Sequence, residues 1–379
     1  MLERVGLNRV NPGMLVSELP VATRQMVEIA KVLGADARIV IFDEPTTSLS
    51  EEDAQHLLQL INRLKKEEGV AVLYVTHRLE EIFEIGDRIT VLRDGQFITT
   101  APTNQFTHDT LIRSMVGRQI ETLYPERQHK QFGKTVLAVQ GLRLQGSPYR
   151  INLEVHAGEI VGLGGLVGAG RTETVRAIFG ADPIGAGTVL VDGTPLRAGS
   201  PRQAVKAGLG LLTEDRKELG ILADLSIREN VTIADLSEVS RLDVISQRRE
   251  VSLVQQLVPR LRLKYQSTEQ PISSLSGGNQ QKVLLSRWLA TKAKVLLLDE
   301  PTKGVDVGAK ADIYTIIGDL AAHGLGIVVV SSYLPELLGI CDRVVVLHDL
   351  GVTGELPIED ATEEGVLRLA SSTPVSMNA

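Results

Sequence analysis

The chain has 379 residues, of which 43% are hydrophobic, and a formal net charge of −7. This length has room for roughly two to three domains of about 150 residues each. The acidic balance and the lack of a basic stripe argue against a nucleic-acid-binding protein. Apolar runs such as 327–330 and 344–347 are far shorter than the ~20 residues that a membrane-spanning helix needs.

Short apolar runs rich in β-branched residues alternate with amphipathic stretches along the chain. This alternation predicts an α/β fold with a parallel sheet covered on both faces. Asp192-Gly193 after the run 188–191 predicts a hairpin turn. The predicted strands are 39–42, 70–75, 89–92, 151–155, 160–163, 188–191, 295–298, 327–330 and 344–347, and the predicted helices are 51–67 and 310–323.

One phrase, Asp-Glu-Pro-Thr, occurs twice, and its neighbourhood is repeated with it. Asp43 and Asp299 are 256 positions apart, and so are Leu19 and Leu275. This spacing indicates one unit present in two copies. The second copy begins near Lys134, so by the same spacing the first would begin at roughly residue −122. We therefore expect the second half of one unit at 1–117, a polar linker at 118–133 and a whole unit at 134–379.

A glycine-rich loop follows the predicted strand 160–163 and opens a helix. Its glycines would let backbone N–H groups converge on phosphate oxygens, and the helix N-terminus would add a favourable dipole. Thr172 would place a hydroxyl on Mg²⁺. Arg171 stands where such loops usually have lysine, and its wide planar group makes efficient hydrolysis here doubtful. The predicted phosphate-binding residues are Gly165, Gly168, Ala169, Gly170, Arg171 and Thr172.

The repeated phrase brings two carboxylates to the end of a predicted strand in each unit. Asp299 suits Mg²⁺, and Glu300 suits polarising an attacking water. Asp43 and Glu44 repeat the pair.

The next predicted strand is followed by Thr76-His77 in the first unit and by Ser331-Ser332 in the second. An imidazole there can contact a terminal phosphate and hold the attacking water, which a serine cannot do in the same way.

A second glycine motif, Leu-Ser-Gly-Gly-Asn-Gln-Gln at 275–281, precedes a predicted amphipathic helix. Ser276 and the amides of Gly277 and Gly278 would form an anion site at that helix N-terminus. The matching stretch at 19–25 lacks the glycine pair, and its Val21 and Ala22 would obstruct a phosphate.

The order of phosphate loop, Leu-Ser-Gly-Gly motif and Asp-Glu-Pro-Thr strand resembles the ABC ATPases. The chain is most similar to the twin-cassette ATP-binding subunits of bacterial monosaccharide importers of the ribose, galactose and arabinose type. Gly-Ala-Gly-Arg-Thr-Glu at 168–173, Glu-Asp-Arg-Lys at 214–217 and Ser331-Ser332 support this likeness. The resemblance implies a P-loop fold of ABC type, ATP and Mg²⁺ as cofactors, membrane-spanning permease subunits and a periplasmic sugar-binding protein as partners, and a peripheral position at the cytoplasmic face of the membrane. A cytosolic location also suits the single cysteine, Cys341, which cannot form an internal disulfide.

In that family two cassettes hold two nucleotides between them. The resemblance implies one weakly hydrolysing site built from Arg171, Thr172, Glu214, Asp299 and Glu300 with the degraded stretch 19–25. The other site would combine Glu44 as catalytic carboxylate, Asp43 on Mg²⁺ and His77 as switch with Ser276, Gly277, Gly278 and Gln280. Its phosphate loop would lie at roughly −91 to −84 by the repeat spacing. Without that part, the strands near 39, 70 and 89 would have open edges and exposed apolar surface.

Two alternatives remain at the level of sequence. One is a twin-cassette ABC ATPase without a transport role, for which a longer charged linker and two intact signature motifs would be expected. The other is a truncated product that binds nucleotide without turning it over.

Overall fold

The computed structural model describes residues 5–7, 10–35, 37–46, 49, 51–76, 78–93, 95–116, 124, 132–242 and 244–374, without the side chains at 21, 22, 51, 52 and 109. The chain divides into two compact units, Met1–Ile120 and Glu121–Ala379, called unit 1 and unit 2 below. Most of the predicted linker 118–133 and the final residues 375–379 lie outside the described residues. None of the helices in the described ranges combines the length and apolar character needed to cross a bilayer.

Unit 1 contains two small sheets and four helices among its described residues. Strands β1 and β2 pair in parallel, and β3 and β4 pair in antiparallel. The elements are α1 (Val21–Leu33), β1 (Ile39–Asp43), α2 (Glu51–Glu67), β2 (Ala71–Val75), α3 (Leu79–Ile85), β3 (Arg88–Arg93), β4 (Gln96–Pro102) and α4 (His108–Val116).

The described residues of unit 2 form two large sheets with helices packed on them and one small two-stranded antiparallel sheet. A six-stranded sheet has the strand order β10-β13-β14-β7-β15-β16, and a four-stranded antiparallel sheet has the order β6-β5-β8-β9. The strands are β5 (Thr135–Leu144), β6 (Ile151–His156), β7 (Ile160–Gly164), β8 (Ile184–Val191), β9 (Thr194–Pro195), β10 (Leu209–Leu212), β11 (Ser240–Arg241), β12 (Val244–Ile245), β13 (Val295–Asp299), β14 (Gly326–Val330), β15 (Arg343–His348) and β16 (Gly351–Pro357). The helices are α5 (Arg171–Phe179), α6 (Pro201–Ala207), α7 (Ile227–Thr232), α8 (Gln247–Leu257), α9 (Gly277–Ala290), α10 (Val307–Ala322), α11 (Leu334–Ile340) and α12 (Glu363–Ala370).

The central strands of unit 2 are apolar because both faces of the large sheet are covered. Every residue of β7, β13 and β14 is buried. Val175 and Ile178 of α5 pack in one core with the four-stranded sheet. Ile313 and Ile317 of α10 pack in a second core. The predicted parallel sheet is thus present in unit 2, with the correction that β16 joins it in antiparallel.

Unit 1 departs from the predicted double covering. The burial of β1 alternates, and its side chains Ile39 and Ile41 are 69% and 65% exposed, beside Leu73 of β2 at 57%. A two-stranded sheet offers few neighbours to cover such a face. The predicted exposed apolar surface is thus present at β1 and β2, and the loss of sheet neighbours remains a prediction.

The strand pairings of the two units match residue for residue. Asp43 pairs with Val75 at the end of β1 and β2, and Asp299 pairs with Val330 at the end of β13 and β14. The β3–β4 hairpin has a register shift between Val91 and Leu92, and the β15–β16 hairpin has one 255 positions later, between Val346 and Leu347.

Helix α10 begins earlier than predicted. The sequence prediction began at residue 310, but the helix starts at Val307 because Asp306 caps it, with its carboxylate accepting from the amide of Ala309 at 2.9 Å. An aspartate three residues before the amide it caps is a common helix start signal, and it is present in the sequence at Asp306.

Candidate nucleotide-binding site

The glycine-rich loop joins the buried strand β7 to helix α5. Gly165 and Gly170 have positive φ angles of 147° and 97°. A Cβ at Gly165 would lie 2.5 Å from the carbonyl oxygen of Leu347, and a Cβ at Gly170 would lie 2.6 Å from Cδ2 of Leu350. These two positions therefore require glycine for both backbone and space. Between them, Ala169 is buried and its carbonyl accepts from the amide of Leu350 at 3.0 Å, while Gly168 has a φ of 83°.

Asp299 lies at the carboxyl end of β13, beside the start of α5. Its side chain is 1% exposed and accepts a hydrogen bond from Thr172. Burial raises the pKa of Asp299 to about 7, and the charges of Glu214 and Glu300 add to this effect. Oδ1 of Asp299 is buried without a hydrogen-bond partner.

The orphaned Oδ1 and the Thr172 hydroxyl fit a magnesium ion. Mg²⁺ is usually held by one or two oxygen ligands of the protein together with substrate phosphates and water. No group of three or more His, Cys, Asp or Glu side chains placed to hold a metal occurs within the described ranges.

Arg171, at the first position of α5, turns its guanidinium to the neighbouring strand. The side chain is 8% exposed, and Nη1 donates to the carbonyl oxygen of Ser331 at 2.7 Å. Its positive charge also lowers the pKa values of Asp299 and Glu300, opposing the effect of burial. In this structure the positive charge of Arg171 therefore binds the backbone at the end of β14.

Glu300 follows Asp299 in a left-handed backbone conformation with a φ of 49°. Oε1 accepts from the amide of Ser332 at 2.6 Å. Burial raises the pKa of Glu300, and the Ser332 hydrogen bond opposes that rise. Arg171, Thr172, Asp299 and Glu300 are thus brought together at the carboxyl ends of β7, β13 and β14, where ligands bind in open α/β sheets.

Glu214 lies at the rim of this group. It pairs with Lys303 at 2.8 Å, and both side chains are nearly half exposed. Such an exposed pair contributes little to stability. Glu214 still raises the pKa of Asp299 through its charge, so it is within electrostatic reach of the predicted metal ligand.

The Leu-Ser-Gly-Gly motif packs against another part of unit 2. Ser276 is the N-cap residue of α9. A Cβ at Gly278 would lie 2.4 Å from Cβ of Ala309 in α10, and a Cβ at Gly277 would lie 3.0 Å from the carbonyl oxygen of Gly304. Close packing is therefore a second reason for the glycine pair. It was not apparent from the sequence.

Gln280, predicted to contact nucleotide, points its amide into the protein. The side chain is 8% exposed, and Nε2 donates to the carbonyl oxygens of Ile272 and Leu275 at 3.3 and 3.1 Å. In this structure it fixes the turn that precedes α9. A nucleotide contact by Gln280 remains a prediction.

In unit 1, Asp43 is the last residue of β1, and Glu44 follows it with a φ of 45°. Pro20 is the N-cap residue of α1, 256 positions before Ser276, the N-cap of α9. His77 lies outside the described residues, as do the side chains of Val21 and Ala22.

Two buried acids at corresponding positions, one in each unit, were not predicted from the sequence. Glu81 accepts from Oγ1 of Thr46 at 2.5 Å, and Glu336 accepts from Oγ1 of Thr302 at 2.6 Å. Both glutamates are buried, and each ties the Asp-Glu-Pro-Thr turn to the helix that follows the next strand. The sequence does contain a signal for this pair, because Glu81 and Glu336 occupy the same position in the two repeats, four residues after His77 and Ser332 respectively.

Known proteins and a protein-family model are similar to this chain. A family model described as ABC transporter matches residues 149–303. A ribose import ATP-binding protein of Rubrobacter xylanophilus is 48% identical over 371 residues, which are 98% of this chain and 74% of that protein. A ribose import ATP-binding protein of Streptomyces coelicolor is 47% identical over 373 residues, 98% of this chain and 71% of that protein. A putative ribose/galactose/methyl galactoside import ATP-binding protein of Rhizobium meliloti is 45% identical over 370 residues, 98% and 74% respectively.

Solved structures share the fold. The ATP-binding cassette MJ1267 of an ABC transporter superposes with a TM-score of 0.55 and 18% identity, covering 63% of this chain and all of that one. The cbiO1 protein of Clostridium perfringens, part of an ABC transporter complex, gives a TM-score of 0.52 and 21% identity, covering 62% and 92%.

The glycine loop on a covered parallel sheet, with Asp299 at the neighbouring strand end, defines a P-loop nucleotide-binding protein. The similarity to the ribose import proteins covers 98% of this chain and defines its family more narrowly. The chain belongs to the ATP-binding proteins of ABC transporters, the family that includes these ribose import ATP-binding proteins.

Proposed function

We propose that the chain is an ATP-binding and ATP-hydrolysing subunit that energises a bacterial sugar importer. The observation that carries this proposal is the juxtaposition of the loop 165–170, Thr172 and the orphaned oxygen of Asp299. The names of the relatives support sugar as the transported class. Such a subunit works at the cytoplasmic face of the membrane with permease subunits and, through them, a periplasmic sugar-binding protein.

In unit 2, the loop, the start of α5 and two side chains are each placed to bind a part of MgATP. The loop amides and the first turn of α5 bind phosphate oxygens. Thr172 and Asp299 hold Mg²⁺, which neutralises charge on the phosphates when bound. Glu300 faces the same strand edge, but its Oε1 is occupied by the amide of Ser332. With Arg171 and Ser332 in place of lysine and histidine, we assign this site mainly to binding.

We further propose that unit 1 is part of a second cassette of the same kind. The matched registers of β1–β2 and β13–β14 support this. So do the Thr46–Glu81 and Thr302–Glu336 bonds. In the twin-cassette arrangement, ATP is held between one cassette's phosphate loop and the other's Leu-Ser-Gly-Gly motif. In that arrangement Asp43 is a ligand of Mg²⁺, Glu44 polarises the attacking water and His77 contacts the terminal phosphate.

The exposed face of the β1–β2 sheet indicates what unit 1 needs to form a site. Ile39 and Ile41 are more than half exposed, whereas Val295 and Leu297, their counterparts in β13, are fully buried. In unit 2 these side chains belong to the core that contains α5. We propose that a phosphate-loop segment equivalent to β7 and α5 covers this face in the working transporter.

The in-frame translation of the DNA upstream of the Met1 codon tests the second cassette. We expect Gly-x-x-Gly-x-Gly-Lys-Ser/Thr roughly 90 codons upstream, from the repeat spacing. In protein expressed from that longer frame, Glu44→Gln should lower ATP hydrolysis at least about a hundredfold, since it removes the group that polarises water. Glu300→Gln, the matched change in the other site, should lower it much less. The reverse ranking would contradict the assignment, and upstream DNA without such a loop would leave only a nucleotide-binding role.

A further inference from the structure

One peptide group in unit 2 connects two charged side chains of the site. The carbonyl of Ser331 accepts from Nη1 of Arg171 at 2.7 Å. The N–H of Ser332, the other end of the same peptide unit, donates to Oε1 of Glu300 at 2.6 Å. Since the carbonyl and the N–H of a trans peptide point in opposite directions, this peptide is a bridge with a cation on one side and an acid on the other.

The bridge spans three neighbouring strands of the large sheet. Arg171 follows β7, Ser331 follows β14 and Glu300 follows β13, and the order in the sheet is β13-β14-β7. The arginine and Ser331 are buried, whereas the Ser332 residue is exposed. The hydroxyl of Ser331 also accepts from the amide of Tyr333 at 3.0 Å, which fixes the turn that follows the bridge.

Both hydrogen bonds of the bridge are of the stronger kind. A guanidinium donor and a carboxylate acceptor each give charge-assisted bonds, and hydrogen bonds in a chain polarise one another. A guanidinium bound to the carbonyl therefore strengthens the N–H as a donor to Glu300. The arginine in place of the usual lysine matters here, because its long planar group presents several donors in a fixed plane.

We propose that Arg171 is a positioning residue for Glu300. Arg171 acts through the Ser331–Ser332 peptide and holds the Glu300 carboxylate at the end of the strand. There Oε1 of Glu300 accepts a hydrogen bond from the Ser332 amide. This oxygen is therefore a poorer acceptor for a proton from water. This inference rests on the proposed function for the role of Glu300 in hydrolysis, and it explains why this site favours binding over turnover. The bridge itself is a property of the nucleotide-free chain.

The test is hydrogen exchange of the Ser332 amide, measured by NMR on the full 379-residue chain labelled with ¹⁵N-serine and ¹⁵N-alanine and without nucleotide. The Arg171→Met variant should exchange this amide about tenfold faster than the unsubstituted chain, corresponding to one hydrogen bond of roughly 1.4 kcal/mol. Arg171→Lys keeps the charge without the planar fork and should give an intermediate rate.

A double-mutant cycle separates positioning from a general loss of structure. In a Glu300→Gln background the effect of Arg171→Met should shrink to less than threefold, because the acid at the far end of the bridge is gone. Arg176→Met is the matched control, since Arg176 lies on the same helix and is paired with Asp182. Its Ser332 exchange rate should equal that of the unsubstituted chain.

Equal Ser332 rates in Arg171→Met and the unsubstituted chain would overturn the proposal. So would an Arg171→Met effect that is unchanged by Glu300→Gln. The amide of Ala309, capped by Asp306 in the same unit, should keep its rate in every variant, and its acceleration would assign the effect to unfolding. ATP binding is measured separately by calorimetry, so failure of the proposed function is distinguishable from failure of the bridge.

Discussion

Glu44 and Glu300 have the same backbone conformation in the two units. Their φ angles are 45° and 49°, and each amide donates to the last residue of the neighbouring strand, Val75 or Val330, at 2.9 Å. A bulky residue rarely adopts a positive φ, and such strained positions cluster at functional sites. The repeat therefore preserves an unfavourable local geometry at the two predicted catalytic carboxylates.

The pKa of Asp299 predicts how nucleotide binding depends on pH. Burial raises this pKa to about 7, and Mg²⁺ requires the ionised carboxylate. Protons therefore compete with the metal below pH 7. Competition by one proton predicts that the affinity for MgATP rises about tenfold from pH 6 to pH 8 and flattens above the pKa. Calorimetric titration at several pH values measures this, and Asp299→Asn should bind weakly with little pH dependence. A steep profile retained in Asp299→Asn would assign the titration to another group.

Gly278→Ala should destabilise unit 2, although a helical glycine usually costs stability relative to alanine. The added Cβ would lie 2.4 Å from Cβ of Ala309, a backbone-fixed atom. Such overpacking costs about 1–3 kcal/mol. Gly318→Ala is the control, because a Cβ there meets nothing within 4 Å. That variant should be stabilised by about 0.4–1 kcal/mol.

Urea unfolding followed by tryptophan fluorescence measures both variants. Trp288, the single tryptophan of the chain, lies in α9 and contacts Phe179 edge-on at 5.7 Å between ring centroids, so it reports on unit 2. Equal shifts of the two variants in the same direction would refute the packing role of Gly278.

Glu159→Gln should destabilise unit 2 at neutral pH. Glu159 is 2% exposed and accepts from Nε of Arg343 at 2.6 Å and from the amide of His156 at 2.8 Å. Burial raises the pKa of Glu159, but these hydrogen bonds and the charge of Arg343 outweigh it and lower the pKa below 4.5. Removing one partner of a buried ion pair costs about 3 kcal/mol.

The sign of the shift fixes the pH range of this effect. A lowered native pKa gives stability that is fully present above pH 4.5 and is lost as pH falls through the native pKa. The stability difference between Glu159→Gln and the unsubstituted chain should therefore shrink below pH 4.5. Glu355→Gln removes the half-exposed partner of Arg343 and should cost less than about 1 kcal/mol. A cost for Glu159→Gln that grows on acidification would contradict the assignment.

The fold was largely predictable because its signals are local. Strand positions follow from short apolar runs, and the loop glycines follow from their spacing between strand and helix. The antiparallel pairing of β16 depends on a contact between separate segments, and its pattern does not distinguish a direction. Likewise, nothing local to Arg171 indicates that it reaches Ser331, 160 positions along the chain.

The site was predictable as a set of residues but not as a set of contacts. The repeat identified Asp43, Glu44, Asp299 and Glu300 at strand ends. It could not show that Gln280 turns inward, because an amide on the first turn of a helix can face either ligand or protein. The hydrogen bonds of Glu81 and Glu336 could have been predicted, since a glutamate that recurs at the same position in both repeats indicates a shared structural role.

Calorimetric titration of the 379-residue chain with ATP and Mg²⁺ measures binding at the proposed site of unit 2. We expect one binding event, weakened at least about tenfold by Thr172→Val, because that change removes a ligand of the metal. Glu44→Gln should bind within twofold of the unsubstituted chain, since its carboxylate belongs to the other unit. Binding that survives Thr172→Val unchanged, or that is lost in Glu44→Gln, would contradict a nucleotide site at the phosphate loop of unit 2.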